Sequence, residues 1–105
     1  MKFDVYVLKL SDDKWFVGKT YDILNMYNEV LYNNDLEWVE WYTPINIHKI
    51  YYSVEDTKLE EVVIEYMERY GILNVRGGEY SHMVLSIDEI KSIIRMMNIL
   101  LPLST

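Results

Sequence analysis

Few residues in this chain have both the type and the spacing to do chemistry. Cysteine is absent, so thiolate nucleophiles, thiolate metal sites and disulfides are excluded. His48 has no second His or Cys at ligand spacing, and a lone strand histidine of this kind reads as solvated or hydrogen-bonded. Arg76-Gly77-Gly78 lacks the GxxxxGK[ST] spacing of a phosphate-cradling loop, so it does not read as a nucleotide site. Glu61, Glu65 and Glu68 recur at i, i+4 and i+7, opposite an apolar stripe, and read as a solvated acidic face. Trp38, Trp41 and Tyr42 crowd into five residues with Glu40 among them and Glu37 just before. Two readings stand for that cluster. The indoles seal one end of the core, or they form an acid-rimmed interaction patch, because Trp and Tyr bury much area at little rotamer cost.

The elements that must position these residues follow from periodicity. Val5–Thr20, VYVLKLSDDKWFVGKT, reads as a hairpin. Tyr6, Leu8 and Leu10 share one face of its first strand, and Val5, Val7 and Lys9 the other. Ser11-Asp12-Asp13 is turn chemistry, with short side chains that bond their own backbone. A loop of odd length places Phe16, on the short strand Trp15-Phe16-Val17, beside Tyr6 and Leu8. Tyr21–Tyr32 is expected as a helix with Ile23, Leu24, Tyr27, Val30 and Leu31 inward, capped by Thr20 or Asp22 and stopped by Asn33-Asn34-Asp35. Pro44 opens a third strand, Ile45–Tyr52. Ser53 is the expected cap of a central helix running to about Tyr70, with Leu59, Val62, Val63, Tyr66, Met67 and Tyr70 as its apolar stripe, and Gly71 stops it. Arg76 is expected to satisfy nearby carboxylates or backbone carbonyls. Ser86 and Glu89 form a capping box for a last helix with Ile87, Ile90, Ile94, Met97 and Leu101 in line, widened by Ile93 and Leu100 and ended by Pro102. That apolar surface is broad, so either it is deeply buried or part of it docks on another chain. Together these elements predict one α+β domain over residues 1–105: a small antiparallel three-stranded sheet flanked by about three helices.

Composition narrows the partners. Ten Lys and Arg stand against seventeen Asp and Glu, a net charge of −7. Nucleic-acid binding rests on cations against phosphate, usually in a basic stripe, and here the basic residues are scattered. The longest apolar run, Ile99-Leu100-Leu101-Pro102-Leu103, is too short to span a bilayer. No signal pattern precedes the first strand. A soluble, intracellular (cytoplasmic) protein is the expectation, with a protein partner or self-association favoured over a polynucleotide or a membrane.

Two segments carry a resemblance. YVLKL, a short polar loop and WFVGKT are similar to the first hairpin of the GIY-YIG nuclease superfamily. Tyr6 takes the place of its first tyrosine, and Phe16-Val17-Gly18 that of its second motif. Tyr70-Gly71-Ile72-Leu73-Asn74-Val75-Arg76-Gly77-Gly78 resembles the YGI-x-NVRGG run that follows the central helix in virus-borne members. The likeness spans roughly residues 3 to 96. It implies a GIY-YIG-like fold and a virus-encoded component that could be carried in the virion. In that family two tyrosines position and deprotonate water, an Arg on the next helix steadies the phosphate, and a Glu on the central helix holds one divalent metal.

Residue by residue, that set is broken here. Tyr6 remains, but Phe16 has lost the hydroxyl. The helix after Thr20 has no Arg; Asn25 and Met26 occupy the region. Val62-Val63 falls where the Glu belongs, and Glu60, Glu61 and Glu65 are out of phase with the groove. The remnant is Tyr6, Phe16, Gly18 and Lys19. The first expectation is therefore a catalytically degenerate domain acting as a protein-binding or structural module, without a cofactor, through Trp38, Trp41 and Tyr42 or the last helix. The alternative is a Mg2+-dependent endonuclease with a rearranged site: Tyr6 handling water, Lys19 facing phosphate, and Glu61 or Glu65 holding the ion.

Overall fold

In the computed structural model, residues 2–32 and 36–100 are described. The chain forms an α+β fold around a four-stranded mixed sheet of order β3-β1-β2-β4. Strand β1 is Phe3–Leu10 and β2 is Trp15–Thr20, joined by Ser11–Asp13. They pair antiparallel, Leu8 opposite Phe16 and Tyr6 opposite Gly18, so the odd loop sets the expected register. The loop closes by Leu10 N–H to the Lys14 carbonyl at 2.8 Å, with Asp12 and Asp13 both left-handed (φ 58° and 57°). The Ser11 carbonyl accepts the Lys14 N–H at 3.3 Å, but the Ser11 side chain bonds outside the turn. Its Oγ accepts the Thr43 N–H at 3.1 Å, tying the loop to the start of the third strand.

The edge strand β3 runs Pro44–Val54 and pairs antiparallel with β1 through three register shifts. The three-stranded antiparallel expectation is corrected at the other edge. Val75–Gly77 forms β4, which pairs parallel with Trp15–Val17. Three residues, the last of them a glycine with another glycine after it, carry no alternation, so the sequence pattern holds no sign of their pairing.

Both faces of β1 are covered. Phe3, Val5 and Val7 pack with Trp15 and Val17 against α3 (Asp56–Tyr70) and α4 (Ile87–Leu100). Tyr6, Leu8, Leu10 and Phe16 pack against two short helices, α1 (Met26–Leu31) and α2 (Glu37–Trp41). Val62, Val63, Tyr66 and Met67 of the α3 stripe are buried, with Ile64 added at 0% exposure, and Leu59 and Tyr70 at its ends are partly buried. Gly71 ends it in a left-handed conformation (φ 101°), its N–H on the Met67 carbonyl at 2.8 Å. The capping box of α4 forms: Ser86 N–H to Glu89 Oε1 at 2.9 Å, and Glu89 N–H to Ser86 Oγ at 3.1 Å.

Several helix details differ from the spacing argument. The segment after β2 is a 3-10 turn, Ile23–Asn25, before α1 begins. That break rotates the face, so Met26 and Val30 are buried while Leu24 and Leu31 are exposed. Thr20 Oγ1 accepts the Asp22 N–H at 3.0 Å and donates to Glu29 at 2.9 Å, but neither Thr20 nor Asp22 caps the helix. Ser53 is not the cap of α3. It lies within β3 at φ 55°, its N–H on Asp4 Oδ1 at 2.8 Å. On α4 the inward row is Ile90, Ile93, Met96 and Met97, while Ile87 and Ile94 are exposed beside exposed Lys91 and Arg95. The Asn33–Asp35 helix stop, Leu101 and Pro102 lie outside the described residues.

Candidate functional site

The shortness of β4 makes the site. Strand β2 continues through Gly18, Lys19 and Thr20 after β4 has ended at Gly77, so its outer edge opens there onto a groove of about 420 Å³. Tyr6, Phe16 and Lys19 line it from the hairpin, and Leu59, Glu60 and Glu79 from α3 and the loop after β4. A smaller hollow of about 120 Å³ shares Tyr6 and Lys19 and adds Thr20 and Glu29. The hairpin residues Tyr6, Phe16, Gly18 and Lys19 are thus gathered in one place.

Tyr6 and Phe16 lie on the same face, ring centroids 6.2 Å apart. The Tyr6 phenol lies against Gly18: a Cβ at that position would collide with the Tyr6 hydroxyl, which explains the glycine. Tyr6 is only 5% exposed, and burial, reinforced by the Glu29 carboxylate, pushes its pKa far above the ordinary tyrosine value. It is held as a neutral phenol. Lys19 is exposed and its Nζ lies 5.0 Å from the Phe3 ring centroid.

Of the two carboxylates in the groove, Glu60 comes from α3, where its spacing in the sequence reads as out of phase. Its Oε1 accepts the Glu79 N–H at 3.3 Å and sits so close to Gly78 that a Cβ there would approach it to 2.6 Å. Burial raises its pKa, the Glu79 N–H offsets part of that, and the Glu79 charge adds to it. The signal was present in Ile64: a fully buried residue four positions on places Glu60 in an inward row. Glu79 carried no such signal, because it arrives through the loop after β4.

Glu61 and Glu65 do not line the groove. Glu61 is exposed, 4.0 Å from Lys58 Nζ, and Glu65 pairs with Arg69 at 3.3 Å. No group of three or more His, Cys, Asp or Glu side chains clusters to hold a metal among the described residues. At the helix after the hairpin, Met26 is core and Asn25 bonds Asn28 at 3.0 Å.

The aromatic cluster divides. Trp38 is 3% exposed, and its indole donates to the Trp15 carbonyl at 2.9 Å. Tyr42 packs on it, centroids 4.7 Å apart, and is half-buried. Trp41 alone stands out, 69% exposed. Trp38 therefore seals the core, which takes it out of the expected patch, while Trp41, the last residue of α2, is left exposed. Arg76 lies over the Trp38 ring at 4.3 Å. It satisfies carbonyls rather than carboxylates: His82 at 2.8 Å, Ile72 at 2.9 Å, Val75 at 2.8 Å and Met83 at 3.2 Å.

The architecture and site define a small α+β domain with a partly acidic groove at an unpaired sheet edge, roofed by one central helix. Comparison with protein-family models, curated proteins and solved structures gives no match for the chain. No helix among the described residues is long and apolar enough to cross a membrane.

Proposed function

We propose that this chain is a catalytically degenerate GIY-YIG-like domain that works by binding a protein partner. The observation that carries the reading is the pair of rings in the groove. Phe16 offers no oxygen where a second phenol would act, and Tyr6 keeps its phenol buried against Gly18 with its ionisation suppressed. A base must lose its proton near the working pH to be useful. Removing one preorganised catalytic donor typically costs about 10²-fold or more, and several losses compound. No Arg stands on α1, and the net charge of −7 disfavours a polyanion. Trp41 supplies an exposed aromatic anchor between Glu37 and Tyr42.

Incubation of purified protein with supercoiled plasmid and Mg2+ or Mn2+ tests the loss of cutting, and no nicking is expected. Nicking that disappears in Tyr6→Phe would overturn the reading. The binding half is tested by cross-linking from host cells, with recovery of one defined partner that Trp41→Ala abolishes.

One observation favours the nuclease alternative: Glu60 enters the groove beside Tyr6 and Lys19. In that reading Glu60, with Glu79, would hold a magnesium ion, which accepts one or two protein carboxylates and keeps several waters. Lys19 would face the phosphate. Glu60→Gln separates the readings, since it abolishes any metal-dependent nicking and leaves partner binding through Trp41 intact.

A further inference from the structure

A further hollow lies away from the groove and its smaller neighbour, at the hairpin end of the sheet on the face packed against α3. It measures about 530 Å³ and is lined by Lys9, Asp13, Trp15, His48, Arg69, Tyr70 and Asn74. That size lies within the range of small-molecule pockets, about 300–1,000 Å³. Its walls are rings. Tyr70 stacks on Trp15, centroids 4.4 Å apart and planes 22° apart, and His48 meets Trp15 edge-on at 4.9 Å. Trp15 is buried, so the open ring surface belongs to exposed His48 and half-buried Tyr70.

Its rim is cationic. Lys9 Nζ lies 5.7 Å from the Trp15 ring centroid and has no carboxylate partner within 4 Å among the described residues. Arg69 bonds Glu65 through Nη2 alone at 3.3 Å, an exposed pair that leaves its other N–H groups available. Asp13 is the one acid in the lining, and it suits a neutral hydroxyl better than an anion.

We propose that this hollow binds a mononucleotide: a planar base against the Tyr70 ring with the steeply inclined His48 ring at its edge, a phosphate on Lys9 and Arg69, and sugar hydroxyls on Asp13. Ring surface and cations side by side are the two elements of base-plus-phosphate recognition. The acidic charge of the whole chain selects a small ligand over a polymer. Screening confines electrostatics to about 8 Å at physiological salt. A phosphate in the hollow therefore meets the local cations, while a strand running on across a molecule 36 Å long meets the remaining acid. The site is independent of the groove, so it stands or falls apart from the reading given above.

Titration with AMP, followed by two-dimensional NMR, tests it, with inorganic phosphate, adenosine and an eight-nucleotide single strand as parallel arms at physiological salt. AMP is expected to shift the Trp15 indole and the His48 ring signals and to bind at least about tenfold tighter than phosphate or adenosine, a difference of about 1.4 kcal/mol. Lys9→Gln with Arg69→Gln keeps the side-chain stems, and this variant is expected to retain the dispersed spectrum and weaken AMP by at least about tenfold. If the pair fails to fold, each single substitution is read alone, with a several-fold loss expected. The proposal is overturned by saturation-free spectra at millimolar AMP, by shifts confined to the groove, by phosphate binding as well as AMP, by the strand binding tighter than AMP, or by affinity unchanged in the variants.

Discussion

Arg76 shows how a single residue can be forced by its surroundings. It is 3% exposed, burial pulls its pKa below the usual arginine value, and yet no carboxylate pairs with it among the described residues. Four carbonyls and the Trp38 ring hold it instead: those of Val75, which opens β4, of Ile72 in the turn before it, and of His82 and Met83 in the loop after it. Arg76→Ala would strand those acceptors in the interior. It is expected to cost about 3 kcal/mol or more, read by urea unfolding. Arg76→Lys is expected to recover only part, because a point charge cannot reach carbonyls on both sides. The tyrosines set the alkaline limit. Burial, then the neighbouring Tyr51, raises Tyr66 to about 12, and Tyr6 is raised further. Below the ordinary tyrosine pKa of about 10 both states keep these protons and stability is level. Above it the unfolded chain releases protons that the folded chain retains, so stability falls as pH rises. Denaturation between about pH 8 and 11 is expected to show that fall, and Tyr66→Phe to flatten it.

At the scale of elements, the hairpin and α3 were legible and β4 was not. Alternation along Val5–Leu10 and a three-residue loop fix the register of β1 and β2 without any distant contact. Three residues of β4 are held instead by geometry across the chain. A Cβ at Gly77 would collide with the Val17 carbonyl and come within 2.9 Å of Val17 Cβ, so the parallel pairing exists only because the residue is glycine. Gly77→Ala is expected to break the β2–β4 pairing and destabilise by about 2 kcal/mol or more. Hydrogen exchange checks it: the amides of Val75–Gly77 should lose protection while β1 keeps it. The site inherits this weakness, because the groove begins where β4 stops. Glu60 was misplaced for a related reason. The six stripe residues alone put Glu60 outside the inward face, and the buried Ile64 widens that stripe towards it.

For the whole molecule, charge is the property that acts at a distance. A chain at −7 repels polyanions except where cations gather locally. At physiological salt the protein is expected to show no mobility shift with duplex or single-stranded DNA of about twenty nucleotides. A shift that persisted there would mean that a basic track had assembled on the surface. The exposed faces are not uniformly apolar either: Ile87 and Ile94 on α4 alternate with Lys91 and Arg95, which weakens the case for that helix as a dimer seam. Light scattering at high concentration is the direct check.

Local properties were written in the sequence: the α+β class, the hairpin register, the capping box, the stop at Gly71, the acidity and the absence of thiol chemistry. Each depends on neighbours a few residues apart or on simple counts, so distance along the chain is enough. The tertiary structure alone decided that β4 joins the sheet, that Trp38 turns inward while Trp41 stays out, and that Glu60 and Glu79 meet Tyr6 and Lys19 in one groove. Those outcomes depend on which surfaces come within a few ångströms after the chain has closed over its core, and spacing in sequence carries no record of that.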